Sequence, residues 1–127
     1  MGKMVNDLVL DSALQYIKDN TTQMTVCKDT PTTYNEATII NAFMLALITI
    51  TTADMSIANG ATGRMVTIVA KSGVTITGSS TQTASHVCLC ASAANLLYVT
   101  TCAGQALING NTVTIPTWSI TIADPTA

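Results

Sequence analysis

Charge is what this chain lacks most: only 9% of its 127 residues are Asp, Glu, Lys or Arg, against roughly 25% in an ordinary globular domain. The five cations, Lys3, Lys18, Lys28, Arg64 and Lys71, are scattered and form no basic stripe. Direct nucleic-acid binding is therefore disfavoured, because nothing is gathered to neutralise phosphates. Aromatic residues are also rare at 4%: Trp118, Phe43, Tyr16, Tyr34 and Tyr98. So few rings argue against the exposed platform of a ligand- or glycan-binding β module, which stands as the third reading. There is one histidine, His86, and the carboxylates Asp7, Asp11, Asp19, Asp29, Glu36, Asp54 and Asp124 fall mostly in the helix, in turns and near the end of the chain. Glycines sit at turns between strands and open no phosphate-binding helix. Nothing local assembles a nucleophile, a base and an orienting group, so no enzymatic activity and no cofactor is expected.

Long apolar runs are missing too. The longest, Ile39–Ile50, holds Asn41 and Thr49 and is too short to span a bilayer. The apolar start is broken by Asn6, Asp7 and Asp11, so neither a signal peptide nor a membrane partner is expected. Asn20-Thr21-Thr22 is formally a glycosylation sequon, read here as the end of a helix.

What is present is apolar: 48% of residues are hydrophobic, which excludes a disordered chain. The length fits one domain, residues 1–127. Threonine dominates the polar set, and its branched Cβ suits a pleated surface. With so little charge, much of the exterior must be Thr, Ser and Asn, or be covered by a partner. Such a surface loses little side-chain entropy when immobilised, which suits repeated rigid contacts.

The spacing predicts one helix, about residues 6–19, capped by Asn6, with Asp7 in its first turn. Leu10, Ala13, Leu14 and Ile17 form its apolar stripe, widened by Val9 and Tyr16. Asp11, Gln15, Lys18 and Asp19 are assigned to water, and Asn20 to a left-handed stop. The helix covers a sheet or anchors a neighbouring subunit. The period then changes to two, with strands from about residue 24 to 122. Met24–Cys27 is stopped by Lys28–Pro31, and Thr32–Ala37 reads as a loop. Leu45–Thr51 reads as a strand buried on both faces. Asn59–Gly63 is a turn; Met65–Ala70 and Val74–Thr77 are strands around Ser72-Gly73; Gly78–Thr83 is a polar loop. Ser85–Cys90 pairs with Leu96–Cys102 across an alanine-rich connection, and Asn109-Gly110-Asn111 turns the chain again. Val113 and Ile115 share one parity, while Trp118, Ile120 and Ile122 share the other. A bend at Pro116-Thr117 would return both sets to one core. Asp124-Pro125 then ends the element. The expected fold is mainly β: a sandwich or barrel-like antiparallel domain of seven or eight strands with one N-terminal helix.

Four cysteines stand out. On a strand, His86, Cys88 and Cys90 project from one face. A zinc site completed by Cys27 or Cys102 is disfavoured, because ligands two apart on a strand aim in parallel instead of converging. With direct pairing of the two strands, Cys88 lies near Tyr98, Cys90 near Leu96 and Cys102 opposite Ala84, out of bonding reach. Cys27, Cys88, Cys90 and Cys102 are thus disulfide candidates, through Cys27 across sheets or between subunits, or they are buried free thiols. Arg64 reads as a turn arginine, solvated or paired with a carboxylate of a neighbouring chain.

The order of motifs along nearly the whole chain carries a resemblance. Leu8-Val9-Leu10-Asp11, Tyr16-Ile17-Lys18-Asp19-Asn20, Thr25-Val26-Cys27 and Pro31-Thr32-Thr33-Tyr34 come first. Thr62-Gly63-Arg64, Ser85-His86-Val87, Leu96–Cys102, Gly110-Asn111-Thr112-Val113 and Ile122-Ala123-Asp124-Pro125 follow. This resembles small virion structural proteins of tailed bacteriophages, of the capsid decoration kind. The resemblance implies a β-sandwich-like fold and multicopy assembly without enzymatic activity. It also implies contacts with copies of itself in a trimer or other small cyclic oligomer, and with the major capsid protein or other virion proteins. The place implied is the capsid exterior, after synthesis in the host cytoplasm; the alternative is a neck, tail or fibre component. Cys88, Cys90 and the apolar Ile39–Ile50 run depart from the pattern of that group.

Overall fold

The computed structural model describes residues 5–39, 42–78, 81–91 and 94–125. The chain opens with helix α1 (Asp7–Asn20), whose Asn6 cap accepts a hydrogen bond from the Leu8 N–H at 2.8 Å. Asn20 does not take the expected left-handed geometry, since Ala94 alone among the described non-glycine residues has a positive φ. Instead the chain leaves the helix directly into an extended Thr21, whose hydroxyl donates to the Ile17 carbonyl at 2.6 Å. The Thr21 N–H donates to the same carbonyl, so backbone and side chain together close the last turn.

Nine strands follow among the described residues: β1 (Thr21–Cys27), β2 (Met44–Thr49), β3 (Met55–Asn59), β4 (Gly63–Ile68), β5 (Lys71–Thr75), β6 (Gln82–Ala91), β7 (Asn95–Leu107), β8 (Thr112–Ile115) and β9 (Trp118–Ala123). They form three antiparallel sheets in the orders β2-β1-β6-β7, β3-β4-β9 and β5-β8. The first sheet continues toward the third, because the Leu45 carbonyl accepts from Thr77 and Gly78 and Ala46 bridges Ile76. The fold is therefore mainly β and sandwich-like, with one long N-terminal helix.

One core serves all three sheets. Met24 and Val26 face inward opposite Leu89 and Val87, and Leu14, Val66, Ile68, Val74, Leu107 and Ile120 complete the cluster. Pro116-Thr117 separates β8 from β9, which lie in different sheets, and both parity sets reach this core: Ile115 and Ile120 are buried, with Val113, Trp118 and Ile122 against them.

Several expectations change. Thr32–Ala37 is not all loop: a short helix, α2 (Tyr34–Thr38), is capped by the Thr33 hydroxyl, which accepts from Glu36 N. Ser72-Gly73 does not join two strands but lies inside β5, where Gly73 has φ +68° beside a register shift. The two segments expected to pair around it, β4 and β5, belong to different sheets. β2 is buried on both faces only over Met44, Leu45 and Ala46 and is exposed by Thr49. β3 was not expected, since Met55 and Ile57 alone make a weak alternation. Of the predicted segments, residues 40–41, 79–80 and 92–93 lie outside the described set.

Candidate assembly surface and thiol cluster

Helix α1 packs on β3 and β4 through Leu10 and Leu14, both buried, and Ile17. Its rotation is set by a fork. Arg64, at the start of β4, donates from Nε to Asp11 Oδ1 at 2.7 Å and from Nη2 to Oδ2 at 3.1 Å; Nη1 donates to Asn59 Oδ1 at 2.6 Å. Hydrogen bonding to Asp11 raises the Arg64 pKa further, so the guanidinium keeps its charge. This corrects two expectations. Asp11 is not on the wet side, and Arg64 pairs within its own chain.

The same fork exposes part of the predicted stripe. Val9 and Asp11 lie roughly 160° apart around a helix, so turning Asp11 toward the sheet sends Val9 outward. Leu8, Val9 and Tyr16 are 74%, 63% and 55% exposed. Ala13 is exposed as well. Around Leu8 and Tyr16 this side of the helix also carries the polar side chains of Asp11, Ser12, Gln15, Asp19 and Asn20.

A second open feature is the edge of the first sheet. Among the described residues β7 pairs with β6 alone. Its 13 residues include no proline and no charged side chain, the usual devices that stop an edge from pairing with other chains. Only two bulges, opposite Ala84/His86 and Leu89/Cys90, bend it. Between β7 and β8–β9 lies a cleft lined by Val87, Cys102, Ile115, Pro116 and Trp118. The Trp118 and Tyr98 rings meet in this region with centroids 6.0 Å apart.

The thiols divide between the two faces of the first sheet. Cys27, Cys88 and Cys90 are wholly buried on the face away from the main core, under Ala37, Tyr34, Phe43, Leu96 and Val99. Cys102 is half-buried on the opposite face, in the cleft. The bulges in β7 shift the expected neighbours: Cys88 lies opposite Val99, not Tyr98, and Ala84 opposite Gln105, not Cys102, while Cys90 does face Leu96. All four are free thiols, with Cys27 and Cys88 Sγ 3.9 Å apart. The Cys88 S–H directed at Cys27 holds the Cys27 pKa below the ordinary thiol value and pushes that of Cys88 up. Burial raises Cys90 to about 11 and also raises Cys102. His86 is the cross-strand partner of Cys27, but its ring is engaged elsewhere, with Nδ1 2.7 Å from Ser85 Oγ and Nε2 3.0 Å from Thr30 Oγ1. Among the described residues no three His, Cys, Asp or Glu side chains are placed to hold a metal ion.

Two further carboxylates, Asp54 and Glu36, act as staples. Asp54 accepts from Lys71 Nζ at 2.8 Å and from the Thr51 N–H at 2.9 Å, and both hold its pKa down. Glu36 accepts from the Thr32 N–H and hydroxyl, which lowers its pKa as well. Sequence reasoning missed both staples, although the Thr51-x-x-Asp54 spacing of a capping box was there to read. Among the described residues no helix is long and apolar enough to cross a membrane. Set against family models, curated proteins and solved structures, the chain matches none of them, so its function is read from its own residues.

Proposed function

We propose that this chain is a non-enzymatic structural component of a tailed-phage virion, a capsid decoration protein that stabilises the head by subunit contacts. The observation that carries the reading is the outward face of α1. The helix already satisfies its inner face on β3 and β4, yet it presents Leu8, Val9 and Tyr16 to the outside. Exposed apolar side chains gathered on one element mark a contact surface. The chain's other exposed groups are mostly small or threonine, which cost little entropy to immobilise. The uncharged β7 edge offers further backbone for contact. Burial of apolar surface gives about 25 cal/mol per Å², less the cost of association. Each contact can be weak, because a shell repeats it many times.

The motif order described above supports the phage assignment, and the partners are copies of the chain and the major capsid protein. Quantitative mass spectrometry of purified particles tests it. A copy number on the order of hundreds fits a shell built by repeated symmetric contacts. A count near a dozen moves the protein to the neck or tail, and absence from the particle overturns the reading.

A further inference from the structure

We propose that Cys27 and Cys88 are a built-in modification site, closing to an intramolecular disulfide when the protein meets a peroxide-class oxidant. The inference stands apart from the assembly reading, because both thiols belong to one chain and the reaction is the same in a monomer or a shell.

The geometry selects this pair. β1 and β6 are the two inner strands of the four-stranded sheet, with Thr25 opposite Cys88 and Cys27 opposite His86. The two cysteines are therefore diagonal neighbours on one face, and their sulfurs touch at 3.9 Å. A disulfide needs sulfurs about 2.05 Å apart and Cα atoms within about 7 Å. Diagonal Cα atoms normally lie about 7–8 Å apart, so closure draws this corner of the ladder together slightly. The ladder is already irregular at that point: β1 shifts register against β2 between Val26 and Cys27. Cys102 cannot compete, since it projects from the other face of the sheet.

The pair also has a division of labour. Cys88 donates toward Cys27, and Thr25 Oγ1 lies 3.7 Å from the Cys27 sulfur. Cys27 thus ionises first and is the attacking sulfur; only the thiolate is nucleophilic. Its sulfur attacks one peroxide oxygen, the O–O bond breaks, and the departing hydroxide takes a proton to become water. This leaves a sulfenic acid on Cys27. The Cys88 sulfur then attacks the Cys27 sulfur and expels hydroxide, which takes the Cys88 proton as a second water. Two thiols have lost two electrons, and one peroxide has become two waters. A molecule the size of hydrogen peroxide suits the site, because both thiols are fully buried beneath α2 and Phe43.

The test is to treat the purified full chain with hydrogen peroxide, unfold it in an alkylating agent and weigh it. The reduced protein carries four alkylatable cysteines. The oxidised protein should carry two, with the Cys27 and Cys88 peptides linked and released by dithiothreitol. Cys90→Ser should keep the link, whereas Cys88→Ser should abolish it and leave Cys27 as a sulfenic acid that dimedone traps. Four alkylated cysteines after oxidation, or a link that uses Cys90 or Cys102, would overturn the proposal. If Cys88→Ser does not fold, the peptide map of the wild-type chain and of Cys90→Ser decides the matter alone.

Discussion

Arg64 shows how much one side chain can decide in a chain with so few charges. Its fork on Asp11, with the third contact to Asn59, fixes which face of α1 meets the sheet. Arg64→Ala should lower the urea unfolding midpoint, because the charge-assisted hydrogen bonds of the guanidinium are lost. Arg64→Lys should recover only part of this, because an ammonium cannot bind both carboxylate oxygens as the planar fork does. Equal unfolding midpoints for all three proteins would show that the fork does not hold the helix. Gly63, one residue earlier, is required for a different reason. A Cβ there would collide with the Ile122 carbonyl oxygen and come within 2.9 Å of Ala123 Cα and Asp124 N, all backbone atoms that cannot rotate away. Gly63→Ala should destabilise by about 1–3 kcal/mol through overpacking and open the β4–β9 ladder, seen as faster amide exchange in both strands. Asn6 was legible at this scale because a cap is a local device. Arg64 was not, because its carboxylate lies 53 residues away in sequence.

At the scale of elements, periodicity located α1 and the β6–β7 pair, since their apolar residues repeat at the spacing the backbone imposes. It misjudged the width of the helix's buried stripe. Val9 and Tyr16 have the spacing of core residues, but only Leu14 and Ile17 of the helix join the main core, with Leu10 buried beside them. Of the two bulges in β7, Gly104 marked the one between Thr101 and Gln105, but nothing between Leu96 and Tyr98 marks the other, so Cys88 was expected opposite Tyr98 instead of Val99. The short element α2 depends on Glu36, and the turn before β3 depends on Asp54. Both carboxylates have pKa values held below the ordinary range by their hydrogen bonds, with Lys71 the largest cause at Asp54. A depressed folded pKa gives stability that is present above the unfolded value and lost as pH falls through the folded one. Thermal melts should therefore show stability declining as pH drops past about 4. Asp54→Asn should be less stable at neutral pH and flatter in its acid dependence. An unchanged acid slope would mean that the Lys71 contact contributes nothing.

For the molecule as a whole, period-two spacing and regularly placed turn residues foretold the β-rich sandwich, but not how the nine described strands divide among three sheets. That division depends on Pro116-Thr117 and Ile76–Gly78 linking sheets over long sequence separations, which no local pattern encodes. The outward α1 face then supplies the functional claim. Leu8→Lys with Tyr16→Lys should leave the unfolding free energy within about 0.5 kcal/mol, as for exposed positions without special roles. The same pair should lower incorporation into particles by at least tenfold in a competition with wild type. Equal incorporation would assign the contact to another surface.

Electron cryomicroscopy of the intact particle is the most direct test, because it places the chain and its neighbours together. Density for this fold should repeat over the head exterior, with Leu8, Val9 and Tyr16 buried against another subunit. A particle in which the chain is missing, or sits with that helix face open to solvent at every position, would contradict it.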